Sequence, residues 1–442
     1  MKIAPDPQNI GRRTKAAPEQ YRILSTLLNI AALGIGSDSR IAVAAKSYPD
    51  LREGTVAPVH GLRTDELRIE IRPSIAASLA DWRRFEREAV GTLYQNSTWC
   101  QAWSETVGSS IQISPRIVFV TNAAAEIQLV LPLQIRRRQG VRVLEWLGSP
   151  HHNYGLGLYR PAFLAVAEDW FATHWDRLLS LIGGFDAIAL TEMPDSLQGR
   201  PNPMRKLGNL RSANPSFHLD LEPDFEALHA RRKSAERRRA SRKHENGLAQ
   251  AGPVWFGLPE DKASLISLID TMFDHQRARL AELGIHGVFG PQERQFIHRL
   301  AEIQDADDPI LAPYAFSCGG QVLAVMLGGL HGNTYWALIS SLAPGPLRKY
   351  SPGDLALRRT IEACCKRGLT GFDFSAGDSA YKRGWTDDVI EMSCTVRGLN
   401  LRGIAWAGLF ALRLAAKRAI KQSPLMFSVT QGMRRSLWGA RS

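Results

Sequence analysis

Residues 311–340 read LAPYAFSCGGQVLAVMLGGLHGNTYWALIS. Apolar runs at Leu311–Cys318, Gln321–Leu330 and Thr334–Ser340 are split by Gly319–Gly320 and by His331–Asn333. Glycine and asparagine accept the backbone angles that tight connections need. The stretch therefore predicts a three-strand antiparallel meander. The same layout stands upstream, where runs at Pro115–Thr121, Ile127–Arg136 and Val141–Leu147 are split by Asn122–Glu126 and Gln139–Gly140. A helical pattern follows each meander, at Ala165–Ile182 and at Asp354–Lys366. Each helix leads into a short strand opening with one triplet, Gly184-Phe185-Asp186 and Gly371-Phe372-Asp373. Helical sequence also precedes each meander, around Leu79–Trp103 and Lys262–Gln304. Two copies of a helix, meander, helix, strand unit are expected. One larger mixed sheet is the alternative.

The flanks have other textures. Residues 1–65 mix Pro, Gly, Ala and scattered charge and read as a loosely ordered extension, with patterned sequence starting at Leu67. The expected division is an extension at 1–65, a first domain at 66–228, a basic helical linker at 229–247, a second domain at 248–400 and a basic amphipathic tail at 401–442. A chain of 442 residues has room for these units. Its 44% hydrophobic and 22% charged residues exclude wholesale disorder, collagen-like repeats and a coiled-coil rod.

The formal charge of +12 is uneven. His229–Lys243 holds eight bases and one acid, and Leu401–Ser442 holds eight bases and no acid, while the rest is close to neutral. Such segments meet nucleic acid, anionic lipid or a phosphorylated ligand, or else form a solvated helix face. In the tail, Ile404, Trp406, Leu409, Phe410, Leu412, Leu414 and Ile420 alternate with Arg413, Lys417, Arg418 and Lys421. That pattern suits a membrane surface or a helix docked on the domain. No apolar run is long enough for a transmembrane helix. The nearest stretch, Ile23–Gly36, is short and interrupted. Five cysteines without a CxxC pair fit a reduced compartment.

Two segments carry candidate chemistry. In Tyr350–Lys366, Ser351 is placed to cap a helix, Pro352 fits the first helical position, and Asp354 stands where a capping-box acid would. Gly353 lets a ligand approach the backbone, and free N–H groups at a helix start hold phosphate. In Phe372–Asp388, a strand runs into a loop dense in Asp, Ser, Tyr, Lys and Trp. Tyr381 is a candidate general acid, Lys382 a candidate for phosphate or carbonyl contact, and Asp373 or Asp378 a candidate proton acceptor. Each residue singly also fits a turn with solvated charge. No metal-ligand spacing, P-loop or GxSxG elbow is present.

These residues resemble a family. Tyr350-Ser-Pro-Gly-Asp-Leu and Gly371-Phe-Asp-Phe-Ser-Ala-Gly-Asp-Ser-Ala-Tyr-Lys-Arg-Gly-Trp are similar to the CelD/BcsL branch of the GNAT acetyltransferases, which is associated with bacterial cellulose or exopolysaccharide synthesis. Tyr94-Gln-Asn-Ser-Thr-Trp-Cys-Gln-Ala-Trp, Leu131-Pro-Leu-Gln-Ile-Arg-Arg-Arg, Leu147-Gly148, Asn153-Tyr154, Pro201-Asn-Pro and the basic Arg231–Lys243 fit the same branch. The resemblance implies an α+β chain of two tandem GNAT-like folds, mainly antiparallel sheets flanked by helices, similar to the Fem-type transferases. It implies acetyl-CoA or another acyl-CoA as donor and no metal. It places Tyr350, Ser351, Pro352, Gly353 and Asp354 in the cofactor loop, with Arg348 beside it.

Two departures stand out. The usual Gln/Arg-x-x-Gly-x-Gly/Ala phosphate signature is absent, and Asp354 would have to point away from phosphate. In the first copy Ser149-Pro150-His151 enters a long loop instead of a helix, which implies lost donor binding. Tyr381 is then the expected acid to the thiolate, Lys382 the oxyanion or acceptor contact, and Asp373 or His275 the base. The expected acceptor is a small molecule or saccharide, and the expected location is cytoplasmic with peripheral attachment at the inner membrane face. A Fem-like transferase using aminoacyl-tRNA and a non-catalytic component of a polysaccharide synthase complex are the alternatives.

Overall fold

The structure is a computed structural model that describes residues 66–282 and 290–422. The expected extension at 1–65 and the end of the tail lie outside the described residues. The first meander forms β2 (Ser114–Thr121), β3 (Ile127–Arg138) and β4 (Val141–Trp146), preceded by β1 (Arg68–Arg72), α1 (Leu79–Glu86) and α2 (Ser97–Trp103). Helix α3 (Ala167–Ile182) and strand β5 (Ala187–Pro194) follow, then β6 (Ser216–Asp220). Two basic helices come next, α4 (Phe225–Arg232) and α5 (Ala235–Ala251). The second half repeats the layout with β7 (Val254–Gly257), α6 (Lys262–Glu282), α7 (Pro291–Ile303), β8 (Tyr314–Cys318), β9 (Gln321–His331) and β10 (Thr334–Leu342). It closes with α8 (Pro352–Lys366), β11 (Gly371–Ala376), β12 (Asp388–Ile390), β13 (Met392–Gly398) and α9 (Leu401–Gln422).

The two sheets share one strand order. The first runs β1-β2-β3-β4-β5-β13, extended by Leu210–Arg211, with Leu158–Tyr159 pairing on β3. The second runs β7-β8-β9-β10-β11-β6-β12. In each, an antiparallel meander meets a parallel strand after a crossover helix, β4 beside β5 and β10 beside β11. The next strand comes from the other half. β13, near the chain's end, pairs antiparallel with β5. β6, at the end of the first half, pairs antiparallel with β11. The contiguous stretches 66–228 and 248–400 therefore each lend one strand to the other's sheet.

Apolar burial follows this plan. The largest core draws on both halves: α1, α2 and the inner face of the first sheet pack with Ile269, Met272, Phe296 and Leu300 of α6 and α7. Trp99 meets Phe296 edge to face at 4.9 Å. A second core lies under α8, where Leu357, Ile361, Cys364 and Cys365 turn inward as their spacing predicts. A third lies between α9 and the outer face of the first sheet. Gly368 ends α8 in a left-handed conformation at φ 72°. The expected cap at the helix start is not formed. Ser351 itself is left-handed, at φ 51° and ψ 54°, and its hydroxyl takes no N–H of the first turn. All five cysteines are buried and unpaired.

The exchange makes a fragment test. Residues 66–247 alone lack β13 and leave β5 an open edge. That fragment should show no cooperative thermal transition. Co-expressed with 248–442 it should recover one, with both pieces co-purifying.

Candidate functional site

Parallel pairing of β10 with β11 covers Thr334↔Gly371, Tyr335↔Phe372 and Trp336↔Asp373, and then stops. Past that point the strands part. Two local irregularities accompany the parting. Leu338 is an extra residue in β10, since Gly328 pairs with Ala337 and Leu327 with Ile339. Ser375, the second residue of β11 past the last pair, holds φ 59°, a left-handed angle for a non-glycine residue. Its hydroxyl donates to the Ala337 carbonyl at 2.7 Å and so ties the two strands where they separate.

The equivalent parting in the first half is filled. β4 and β5 pair only at Val143↔Ala187 and Leu144↔Ile188. The loop after β4 then bonds onto β5: Gly155 N–H donates to the Glu192 carbonyl at 2.8 Å, and the His152 ring reaches the Thr191 carbonyl. A Cβ at Gly155 would come 2.2 Å from Trp146 Nε1 and 2.4 Å from the Thr191 carbonyl, so only glycine fits there. The long loop expected in place of a helix is thus a plug.

A buried polar hub fixes the second parting. Asn153 donates to the Tyr94 hydroxyl at 2.6 Å. With the Ser375 proton spent on Ala337, Tyr94 donates to Ser375 at 3.0 Å. Beside this relay, the Tyr154 hydroxyl donates to Asp373 Oδ2 at 2.5 Å, and the Ser375 N–H donates to Asp373 Oδ1 at 2.7 Å. The Ser216 hydroxyl bonds Tyr154, and the His218 ring lies 3.7 Å from Asp373. Trp336 packs edge-on against Tyr154 at 5.3 Å and against Tyr94 at 6.3 Å. Lys382, fully buried on a single helical turn, donates to the Ser375 and Ala376 carbonyls at 2.9 and 3.2 Å. Burial lowers its ammonium to about 7, against the pull of Asp373. Burial pushes the Tyr94 and Tyr154 phenols upward, so both stay protonated donors.

A basic cleft of about 420 Å³ is lined by Arg231, Arg232, Ser234, Arg237, Arg383 and Trp385 among others. Lys233 lies over the Trp385 ring at 4.4 Å, donates to the Gly384 carbonyl at 2.6 Å, and is lowered by burial to about 8. Arg232 pairs with Asp387 at 2.7 Å, and Arg383 holds Asp378 through two bonds of 2.9 and 2.7 Å. The field of Lys233 and Arg237 reaches Asp354, whose carboxyl is raised to about 6 by the packed surroundings against their pull. Tyr350 lays its ring on Gly247 of α5.

Of the residues singled out in the sequence, Asp373 and Lys382 meet in the hub, and Tyr350–Asp354 form the helix start, where Asp354 feels Lys233 and Arg237. Tyr381 packs edge-on against Phe374 at 6.2 Å, in the core below α8, and burial raises its phenol. His275 stands apart on α6, its Nδ1 3.4 Å from the Ser341 hydroxyl, beside β10 where it has left β11. Asp378 is an exposed partner of Arg383. Among the described residues no cluster of His, Cys, Asp and Glu is arranged to hold a metal. Ser216, His218, Trp336 and Ser375 were not expected. Trp336 reads as core in an apolar run, and Ser216 and His218 reach the hub only through the strand exchange.

Residues 235–383 match the Acetyltransferase (GNAT) domain family. No curated protein matches the chain. Among solved structures, FemX is similar over 75% of this chain and 97% of its own, at 10% identity and a TM-score of 0.51. The C-terminal domain of a putative lysylphosphatidylglycerol synthetase from Agrobacterium fabrum aligns over 78% and 97%, at 11% identity and TM-score 0.47. A tandem GNAT protein from the clavulanic acid biosynthesis pathway aligns over 76% and 100%, at 10% identity and TM-score 0.39. The fold is a tandem, Fem-like GNAT fold. The matched segment runs from α5 through the α8 start to the turn that carries Lys382, so it holds half of the hub, with Arg237 and Arg383 of the basic cleft.

The hub gives a pH-dependent expectation. An unfolded lysine keeps its proton to about 10.4, whereas Lys382 loses it near 7 in the folded chain. The unfolded state therefore binds more protons between these values, and stability rises with pH across that window, by at most about 1.4 kcal/mol per unit from this one group. Urea titrations from pH 7 to 10 should show the rise, and Lys382→Met should flatten it.

Proposed function

We propose that the chain moves an acyl group from acyl-CoA, with acetyl-CoA the simplest donor, to an amine or hydroxyl acceptor. The parting of β10 and β11 next to the start of α8 carries this reading. A strand edge without its partner offers backbone groups to the amides of a pantetheine arm. A helix start reached by the field of Lys233 and Arg237 suits the phosphates. The plugged first half offers neither and is left to shape the acceptor side.

A thioester is already activated, so the protein has to hold the acceptor in line, take its proton and steady the oxyanion. The buried hub keeps the two strands apart at a fixed spacing. Lys382 serves this reading by holding the Ser375 and Ala376 carbonyls, and Asp373 by locking Tyr154. His275 flanks the unpaired part of β10 and, kept below its ordinary value by burial, is neutral near pH 7 and free to accept a proton. It is the base of this reading, and Tyr381, packed away from the hub, is not used as the acid. The resemblance to the cellulose-associated branch supports a saccharide acceptor.

A second donor is favoured by one observation. Helix α5 presents Arg239, Arg242 and Lys243 to solvent on one side, a strip suited to the backbone of an aminoacyl-tRNA. Calorimetry separates the two. Acetyl-CoA should bind the full chain, and Gly353→Val should remove binding while the thermal transition is kept, because a branched side chain blocks approach to the helix start. Binding of tRNA in preference to acetyl-CoA would instead select the second donor.

His275 supplies a kinetic test. Thiol release with a responsive acceptor should rise with pH through a value below 6.5 and level off by about pH 7.5. His275→Gln should lower kcat by about 100-fold or more and abolish that limb.

A further inference from the structure

Helix α9 has two apolar faces. One is docked: Trp406, Ala407, Phe410 and Leu414 pack on Val141, Val143, Ala187, Ala189, Cys394 and Val396. Arg138 of β3 lies over the Trp406 and Phe410 rings at 5.7 and 5.3 Å. The roll of the helix is fixed at its first turn. Asn400 accepts the Gly403 N–H at 2.9 Å and donates to Asp186 at 2.9 Å. A Cβ on Gly403 would come 1.8 Å from the Asp186 carbonyl, so the helix backbone rests against the start of β5.

The opposite face is thereby committed to the outside. Leu401, Ile404, Leu409 and Leu412 are 87, 58, 58 and 66% exposed. Their spacing of three to five residues sets them on one side of the helix, with Ala405, Gly408, Ala416 and Ala419 between and beyond. Among the described residues, the large exposed hydrophobics are these four, the adjoining Leu399, and a lone Leu181 elsewhere. Such a gathering on one helix marks an interaction surface. At 100° per residue, Arg402 and Arg413 border one edge of the stripe and Arg418 the other. None of the three is in an ion pair among the described residues. From Leu401 onward the sequence has no acid.

We propose that this outward face seats the protein on the surface of an anionic lipid bilayer. The charge selects the occupant. A second copy would bring the same arginines against these, with no carboxylate on the helix to answer them. A bilayer of anionic headgroups takes the apolar stripe into its interface and the flanking guanidiniums at its phosphates. The helix lies on the membrane without crossing it: among the described residues no helix is long and apolar enough to span. This attachment goes beyond the proposed acyl transfer and stands whether the donor is a coenzyme or a tRNA.

The test is co-sedimentation of the full chain with phosphatidylcholine vesicles, with and without 30% phosphatidylglycerol. Binding is expected to the anionic vesicles, to fall at least tenfold between 50 and 500 mM salt, and to fall at least tenfold in the double variant Ile404→Ser, Leu412→Ser. Both substitutions lie on the exposed face, so the thermal transition should be unchanged, and circular dichroism verifies it. Four results would overturn the proposal: no vesicle binding, equal binding to neutral vesicles, full binding by the double variant, or a concentration-dependent dimer that the double variant abolishes. The last would assign the face to a second copy.

Discussion

Each sheet is completed by a strand from the other half, and everything at the candidate site depends on that exchange. β13 covers β5, and β6 covers β11. Because β6 belongs to the second sheet, Ser216 and His218 stand beside Asp373. Because α9 follows β13, it is delivered to the outer face of the first sheet. The exchange also ties the two halves through backbone hydrogen bonds, which a mere face-to-face contact of domains would not supply. A core shared by α2, α6 and α7 then fixes the spacing at which Tyr94 and Tyr154 reach across to Ser375 and Asp373.

The hub shows what a buried polar network contributes. Asn153, Tyr94, Ser375 and the Ala337 carbonyl form an unbroken chain in which each donor has one acceptor, and Asp373 is bonded on both oxygens. A half-satisfied version would cost more than an apolar replacement. A fully satisfied one holds a single geometry, here the separation of two strands whose pairing ends. The asymmetry between halves follows from one loop. Gly155 brings the chain close enough to Trp146 and Thr191 to fill the first parting, whereas after the second the chain leads through residues 343–351 into the start of α8.

Much of the fold was legible in residues 115–147 and 311–340, because strand alternation and Gly- or Asn-bearing turns are local signals. Strand limits fall close to those expected; β10 extends to Leu342 and β8 begins at Tyr314. The exchange was not legible, since nothing in the alternation of Ser216–Asp220 or Met392–Gly398 says which sheet will accept the strand. The two matching triplets also mislead slightly. Asp186 is an entry-point acid bound to Arg142 and Asn400, with its carboxyl held well below the usual range by those bonds. Asp373 is a buried member of the hub. The left-handed Ser351 defeated the expected cap, because a capping hydroxyl needs extended backbone that this residue does not adopt. For α9 the docked-helix reading describes one face, and the apolar residues left exposed on the other are those on which the proposed membrane seating rests.

The cysteines have a practical bearing on enzymology. Cys100, Cys318, Cys364, Cys365 and Cys394 lie in the interior, and burial raises each thiol above its ordinary value. Thiolate, not thiol, attacks an aromatic disulfide reagent. The folded protein should therefore be nearly silent toward such a chromogenic reagent. With acyl-CoA as the proposed donor, colour developed during turnover would then report released coenzyme, and a slow background would register unfolding of the chain itself.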